Sequence, residues 1–360
     1  AMESAAGPDL AELLIHRGQS ASPLVLAAVH ADRRVRMAAL ESIVALQPTR
    51  PFAGSHYVSQ SLAFTAATGG SPKALLAGPK TDEMLRLAGF LAARGIGVDT
   101  ATNGLDMVRL AAASPDYVLV LADSKLDNPT IDIALQKLRY DYRSADLPVG
   151  VLARADEFGR AEHMARNDAA ALWFAWPHDE ATFGWQFDKL IGMDGSHFVP
   201  PAERRRMASR AMDLLLEISR PGQLPYDIRA LDDVALKALY VPELAQRATV
   251  LAGRLGTPAA QTALIDLASR HTAPMAVRRA AVTALGHSIE RHGILLLAGQ
   301  IVEQYHRYNA SGTRDQATQQ VLAHILDYLE APTQEAPAQA SSAQVISAEE
   351  VSAEEPPKDN

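Results

Sequence analysis

The chain contains no cysteine, which excludes disulfides, thiolate metal sites and a cysteine nucleophile while leaving the compartment open. It also has no apolar run approaching the roughly 20 residues that cross a bilayer. The opening AMESAAGPDLAELL lacks the charged and then apolar order of a secretion signal. Ala1-Met2 reads as a cloning remnant, so a longer native chain is expected upstream. Basic residues are in deficit: 34 Lys and Arg face 42 Asp and Glu, a formal charge of −8. That balance argues against broad binding to a phosphate backbone, which needs clustered cations. Residues 331–360 hold six acids against one Lys, so five of the eight excess charges belong to the tail.

Catalytic signatures are missing as well. There is no HExxH, GxxxxGK[ST] or GxSxG, and Gly95-Ile-Gly97 falls between a helix and a strand, unlike a dinucleotide fingerprint. Eleven histidines are scattered. His287 and His292 are five apart, too far round a helix to share a face as i, i+4 ligands do. No metal, no cofactor and no enzyme activity is expected.

What is present is 48% hydrophobic residues over 360 positions, enough for two or three ordinary domains. Residues 9–48 read as helices. In HADRRVRMAALESIVALQP, residues 30–48, the residues Val35, Ala38, Ala39, Ile43 and Leu46 recur at helical spacing, with Asp32 as cap and Pro48 beyond the end. Residues 49–72 form a connector with one short helix over 58–67, and GMDGSHFVPP after residue 191 forms another. Residues 202–330 are helical throughout. There PELAQRATVLAGRLG and PMAVRRAAVTALGHS align Arg247 with Arg278 and Gly256 with Gly286, at offsets of 31 and 30. These helical stretches resemble HEAT repeats, in which each helix pair is stabilised by its neighbours; the resemblance implies further repeats upstream of residue 9. It also implies that Arg36, Arg247 and Arg278 bond neighbouring helices. From residue 331 the composition of Ala, Glu, Ser, Pro and Gln, with no aromatic, predicts a disordered acidic tail.

Residues 73–192 alternate strand and helix five times. Strands are predicted at 73–78, 96–100, 117–122, 149–153 and 170–175, with helices at 81–94, 103–113, 130–140, 156–166 and 179–191. Runs such as YVLVLA suit strands buried on both faces of a parallel sheet. The expected fold class is multidomain: a doubly wound five-stranded α/β sheet of flavodoxin or receiver type, plus all-α HEAT-like repeats. Functional groups are then expected at the carboxyl ends of the strands.

The stretch SPDYVLVLADSKLDNPTIDIALQKLR, residues 114–139, resembles the third strand, phosphoacceptor loop and third helix of response-regulator receiver domains. The resemblance makes Asp123 the phosphoacceptor position. It also implies two acids after the first strand to hold magnesium, a threonine or serine after the fourth strand and a Lys-Pro after the fifth. This chain has Gly78 and Pro79, Ala153, and Trp176-Pro177 at those places. The family's Pro often follows a cis bond, so Pro177 implies that backbone feature without the lysine. Asp82 and Glu83 fall in the first turn of a helix, where acids favour the dipole. Asp123 reads either as a strand-end carboxylate capping the next turn or as a phosphoacceptor.

Trp173, Trp176 and Trp185, the only tryptophans, stand within thirteen residues. Trp173 is expected in the core, and Trp176 either fills the vacated lysine pocket or anchors a partner. The basic run ERRRMASR, residues 203–210, reads as the solvated face of a helix. The expected function is a non-enzymatic scaffold that binds protein partners, not nucleic acid, with a phosphorylation-incompetent receiver-like domain. The alternative is a receiver phosphorylated on Asp123; a cryptic enzyme lacks any acid, base or metal cluster to support it. The receiver resemblance implies a cytoplasmic location.

Overall fold

A computed structural model describes residues 20–193, 198–220, 226, 228, 231–313 and 315–331. The acidic tail and the start of the N-terminal helical stretch lie outside the described residues. Three helices come first: α1 (Pro23–Ala27), α2 (Arg33–Ala45) and α3 (Ser55–Ala66). The sheet unit follows as β1 (Lys73–Ala77), α4 (Asp82–Ala93), β2 (Gly97–Ala101), α5 (Gly104–Ala111), β3 (Tyr117–Asp123), α6 (Ile131–Tyr140), β4 (Val149–Ala153), α7 (Phe158–Arg166), β5 (Ala171–Ala175) and α8 (Glu180–Ile191). The remainder is helical: α9 (Pro201–Ile218), α10 (Asp232–Ala238), α11 (Ala245–Leu255), α12 (Pro258–Ser269), α13 (Met275–His292), α14 (Ala298–Ala310) and α15 (Gln316–Glu330). Among the described residues no helix is long and apolar enough to cross a membrane.

The five strands are all parallel, in the order β2-β1-β3-β4-β5. Successive side chains of a strand point to opposite faces, and here both faces are apolar. Leu75, Ala77, Val120 and Val151 pack with Met107 of α5, Ile131 and Leu135 of α6 and Met164 of α7. Ala74, Leu76, Leu119 and Leu152 pack with Met84 and Leu87 of α4 and Phe183 and Leu190 of α8. The helices begin where side chains accept free N–H groups: Thr81 caps α4, Asn103 caps α5 and Asp179 caps α8. The strand and helix bounds depart from the sequence expectation by one or two residues, except that residues 155–157 form a 3₁₀ turn ahead of α7.

The N-terminal and C-terminal helices share one core. Leu40, Ile43, Val58 and Leu62 lie in the same cluster as Met212, Leu215, Leu264, Leu285 and Ile325, and α2 and α3 pack on α9. The burial that a lone helix pair needs from its neighbours is therefore supplied by α9. Two details correct the sequence reading. Val35 and Ala38 are exposed, and the buried face of α2 carries Arg33, Arg36, Met37, Ala39, Leu40, Ile43 and Val44. The run at residues 203–210 is not all solvated either, because Arg204 turns inward and donates to the carbonyls of Val199, Pro115 and Tyr117. Both departures have one cause: these guanidinium groups meet carbonyl oxygens contributed by other segments, which makes their burial tolerable.

Candidate functional site at the carboxyl ends of the strands

The strand order reverses between β1 and β3, the place in an open α/β sheet where a crevice forms beyond the strand ends. Ala77 and Ala122 are in register there, so Gly78 and Asp123 are neighbours. A Cβ on Gly78 would stand 3.0 Å from the Asp123 Cβ and 2.5 Å from the Met84 methyl. Met84 comes back over β1 because α4 starts at once: the Thr81 hydroxyl accepts the Met84 N–H at 3.3 Å. The space that a side chain at position 78 would need is taken by a thioether.

Asp123 is 6% exposed. Its Oδ1 accepts the Lys125 N–H at 2.8 Å and its carbonyl accepts the Leu126 N–H at 3.0 Å, so it closes the turn after β3. Burial pushes its pKa up, and the Glu157 carboxylate adds to this; the Lys125 N–H and the charges of Arg154 and Lys125 oppose it. Glu157 accepts the Ser124 hydroxyl, and Lys125 Nζ lies 3.5 Å from Asp156 and 3.8 Å from Glu157.

Above this point the end of β4 meets the end of β5. The Ala153 carbonyl accepts the Trp176 N–H at 3.3 Å. Trp176 is 7% exposed, and its Nε1 is buried with no hydrogen-bond partner among the described residues. The Arg154 guanidinium stands 5.5 Å from the indole centroid, an attractive cation–π arrangement. Arg154 also pairs with Glu83, at 2.5 Å between Nη2 and Oε2. That hydrogen bond holds the Glu83 carboxyl below the usual range.

Four of the anticipated positions thus come together: Gly78, Asp123, Ala153 and Trp176. Pro79 is exposed beside them, and Asp82 points to solvent. Pro177 is buried but its preceding bond is trans, and among the described residues the cis bond is Asn128-Pro129. Strand pairing continues through the Trp176 N–H, which keeps that backbone extended. Met84, Ser124, Arg154 and Glu157 complete the site. A helix expected from residue 81 puts Met84 near its start, but nothing local says that its methyl fills the space beside Gly78.

These donors do not fit magnesium, which takes oxygen ligands in near-octahedral geometry. The Met84 methyl fills the side-chain space of Gly78 next to Asp123, and Glu83 is committed to Arg154. Of the other anticipated residues, Trp173 is half-buried with its ring 5.1 Å from that of Phe158. Trp185 is 59% exposed, with Lys189 Nζ 5.0 Å from its ring centroid. Arg278 joins α13 to the Ala268 carbonyl of α12 and to Thr318 of α15. Arg247 pairs with Asp213 of α9, and Arg36 reaches the Tyr142 carbonyl beside the sheet. No family model and no curated protein matches the chain.

Proposed function

We propose that the chain is a protein-binding scaffold whose HEAT-like helices carry a receiver-like unit that does not take up phosphate. The observation that supports this reading is Gly78 beside Asp123, with the Met84 methyl in the space that a side chain at position 78 would need. Phosphoryl transfer depends on assembled cations around the transferring oxygens, and here an apolar methyl fills the side-chain space of the position next to Asp123. Trp176 is buried where the resemblance implies a lysine. With that chemistry filled in, the unit contributes rigid surface, and the partners are other proteins.

The second reading, phosphorylation of Asp123, draws on Arg154, whose charge lowers the Asp123 pKa from beyond the end of β4. Intact-mass measurement after incubation with acetyl phosphate and magnesium separates the two. The scaffold reading expects no adduct. A stable gain of one phosphoryl group that disappears in Asp123→Asn would replace it with the second.

A further inference from the structure

The sheet unit and the helical body keep separate apolar cores. Among the described residues, no buried apolar residue of the two layers around the strands belongs to the cluster that the body's helices share. What joins the two units, at the other end of β3 from Asp123, is polar. From α2, Arg33 donates to Asp146 Oδ2 at 2.5 Å and to the Pro115 carbonyl at 2.9 Å, and Arg36 donates to the Tyr142 carbonyl at 2.8 Å. From α9, Arg204 donates to the carbonyls of Pro115 at 2.9 Å and Tyr117 at 2.6 Å. Ahead of β1, the Asp116 carboxylate accepts the Thr68 hydroxyl and, at 2.6 Å, the Gly69 N–H.

The fit across this junction is incomplete. Arg33 Nη2 and Asp146 Oδ1 belong to one ion pair, yet both are buried with no hydrogen-bond partner among the described residues. A cavity of about 630 Å³ is lined by Phe64 of α3 and Val234 of α10 on one side and by Ala113 and Tyr142 of the sheet unit on the other.

Water does not replace the contacts that parting apolar surfaces lose, whereas it takes up the hydrogen bonds of parting polar groups. Here water would also satisfy the two orphaned atoms. A buried ion pair recovers its desolvation cost only when its remaining polar atoms are satisfied, and this one falls short. Docking also disfavours the charge of Arg36, whose pKa is pushed down to about 10 with burial as the first cause. Opening the junction therefore costs far less than unfolding either core, and units joined by a polar interface move relative to one another.

We infer that the sheet unit is a hinged module that undocks from the helical body as a rigid whole, with the Arg33–Asp146 pair as its latch and Gly69-Gly70 as a pivot. The chain crosses the junction only twice, before β1 and after α8. Gly70 already stands at φ +88°, and once Asp116 lets go, two adjacent glycines can absorb a change of direction. The inference does not depend on the scaffold reading.

The test uses the full chain, which has no cysteine of its own, so dyes can be attached at chosen pairs of sites. Gln136→Cys in α6 with Gln246→Cys in α11 spans the junction, and Gln136→Cys with Asp188→Cys in α8 stays within the sheet unit; all three side chains are exposed. Single-molecule energy transfer should show the junction pair in two states, the minor one held by about 1–10% of molecules, and the control pair in one. Asp146→Asn leaves Arg33 without its counter-charge and should raise the minor share about threefold or more. If that variant does not fold, Arg33→Lys, which keeps the charge and loses the planar fork, takes its place. One transfer efficiency for the junction pair in both the unaltered and the variant chain would overturn the inference. A second efficiency that the control pair shares would overturn it too, because the sheet unit itself would then be loosening.

Discussion

Met84 Cε lies 2.5 Å from the point where a Cβ on Gly78 would stand, so a side chain at residue 78 requires Met84 to move. Gly78→Asp, which supplies one acid that the receiver resemblance implies, is expected to cost about 1–3 kcal/mol through overpacking. In a Met84→Ala background the same change should cost less, because the obstructing methyl is gone. Denaturant melts arranged as a double-mutant cycle measure the difference. Additive costs would show that the two positions do not compete for space.

Trp176→Ala should leave a cavity under Arg154 and cost about 3–5 kcal/mol, as other large-to-small changes at buried positions do. The indole is 7% exposed and supports the Arg154 guanidinium, so both its volume and its ring face are lost. A change below about 1 kcal/mol would rule out a filling role. Trp185, which is 59% exposed, serves as the internal control: its alanine variant should fall within about 0.5 kcal/mol of the unaltered chain.

Asp123 provides a test through pH. Its folded pKa lies above its unfolded value, with burial as the first cause, so the folded state holds the proton more tightly. The stability linked to this group is fully present below the ordinary aspartate range and is lost as pH rises through the raised folded value. Asp123→Asn, which keeps an oxygen for the Lys125 N–H, should therefore be more stable than the unaltered chain at pH 7. The gap should close on acidification toward about pH 3–4, where the carboxyl is protonated in both states. Urea melts across that range measure it, and a gap of constant size would assign the effect to packing.

Arg36 and Arg247 occupy matching places in the helical reading but should differ in worth. Arg36 is 2% exposed and its guanidinium serves three carbonyls. Arg36→Ala removes these part-buried hydrogen bonds and the packing of a buried side chain, and is expected to cost about 2 kcal/mol or more. The Arg247–Asp213 pair is 40% exposed on both sides, so Arg247→Ala should cost no more than about 1 kcal/mol. Thermal melts of the two variants side by side make the comparison.

The sheet was legible because its side chains alternate: Ala74 and Leu76 serve one core and Leu75 and Ala77 the other, and an apolar run of four between Lys73 and Gly78 records that directly. The site was legible in part. Gly78, Asp123, Ala153 and Trp176 follow from where the strands end, whereas Met84 enters through the geometry of a helix start. The buried arginines were not legible. Periodicity counts apolar side chains, and it misphased α2 by placing Val35 inside and giving Arg33 no role. What buries Arg33 and Arg204 is the carbonyl of Pro115, which is 82 and 89 residues away in the chain and leaves no trace in the local pattern.

The core shared by the first and last helices sets an order of events during synthesis. Leu40, Ile43, Val58 and Leu62 gain their partners in the C-terminal helices only when α9, ending at Ile218, has been made. The five strands and their helices are complete by Ile191. Since domains fold as units while the chain emerges, the sheet unit can close while the N-terminal helices still wait with apolar faces open. The ribosome thus releases a finished insert held between two halves of an unfinished body, and that interval is when a chaperone has most to cover.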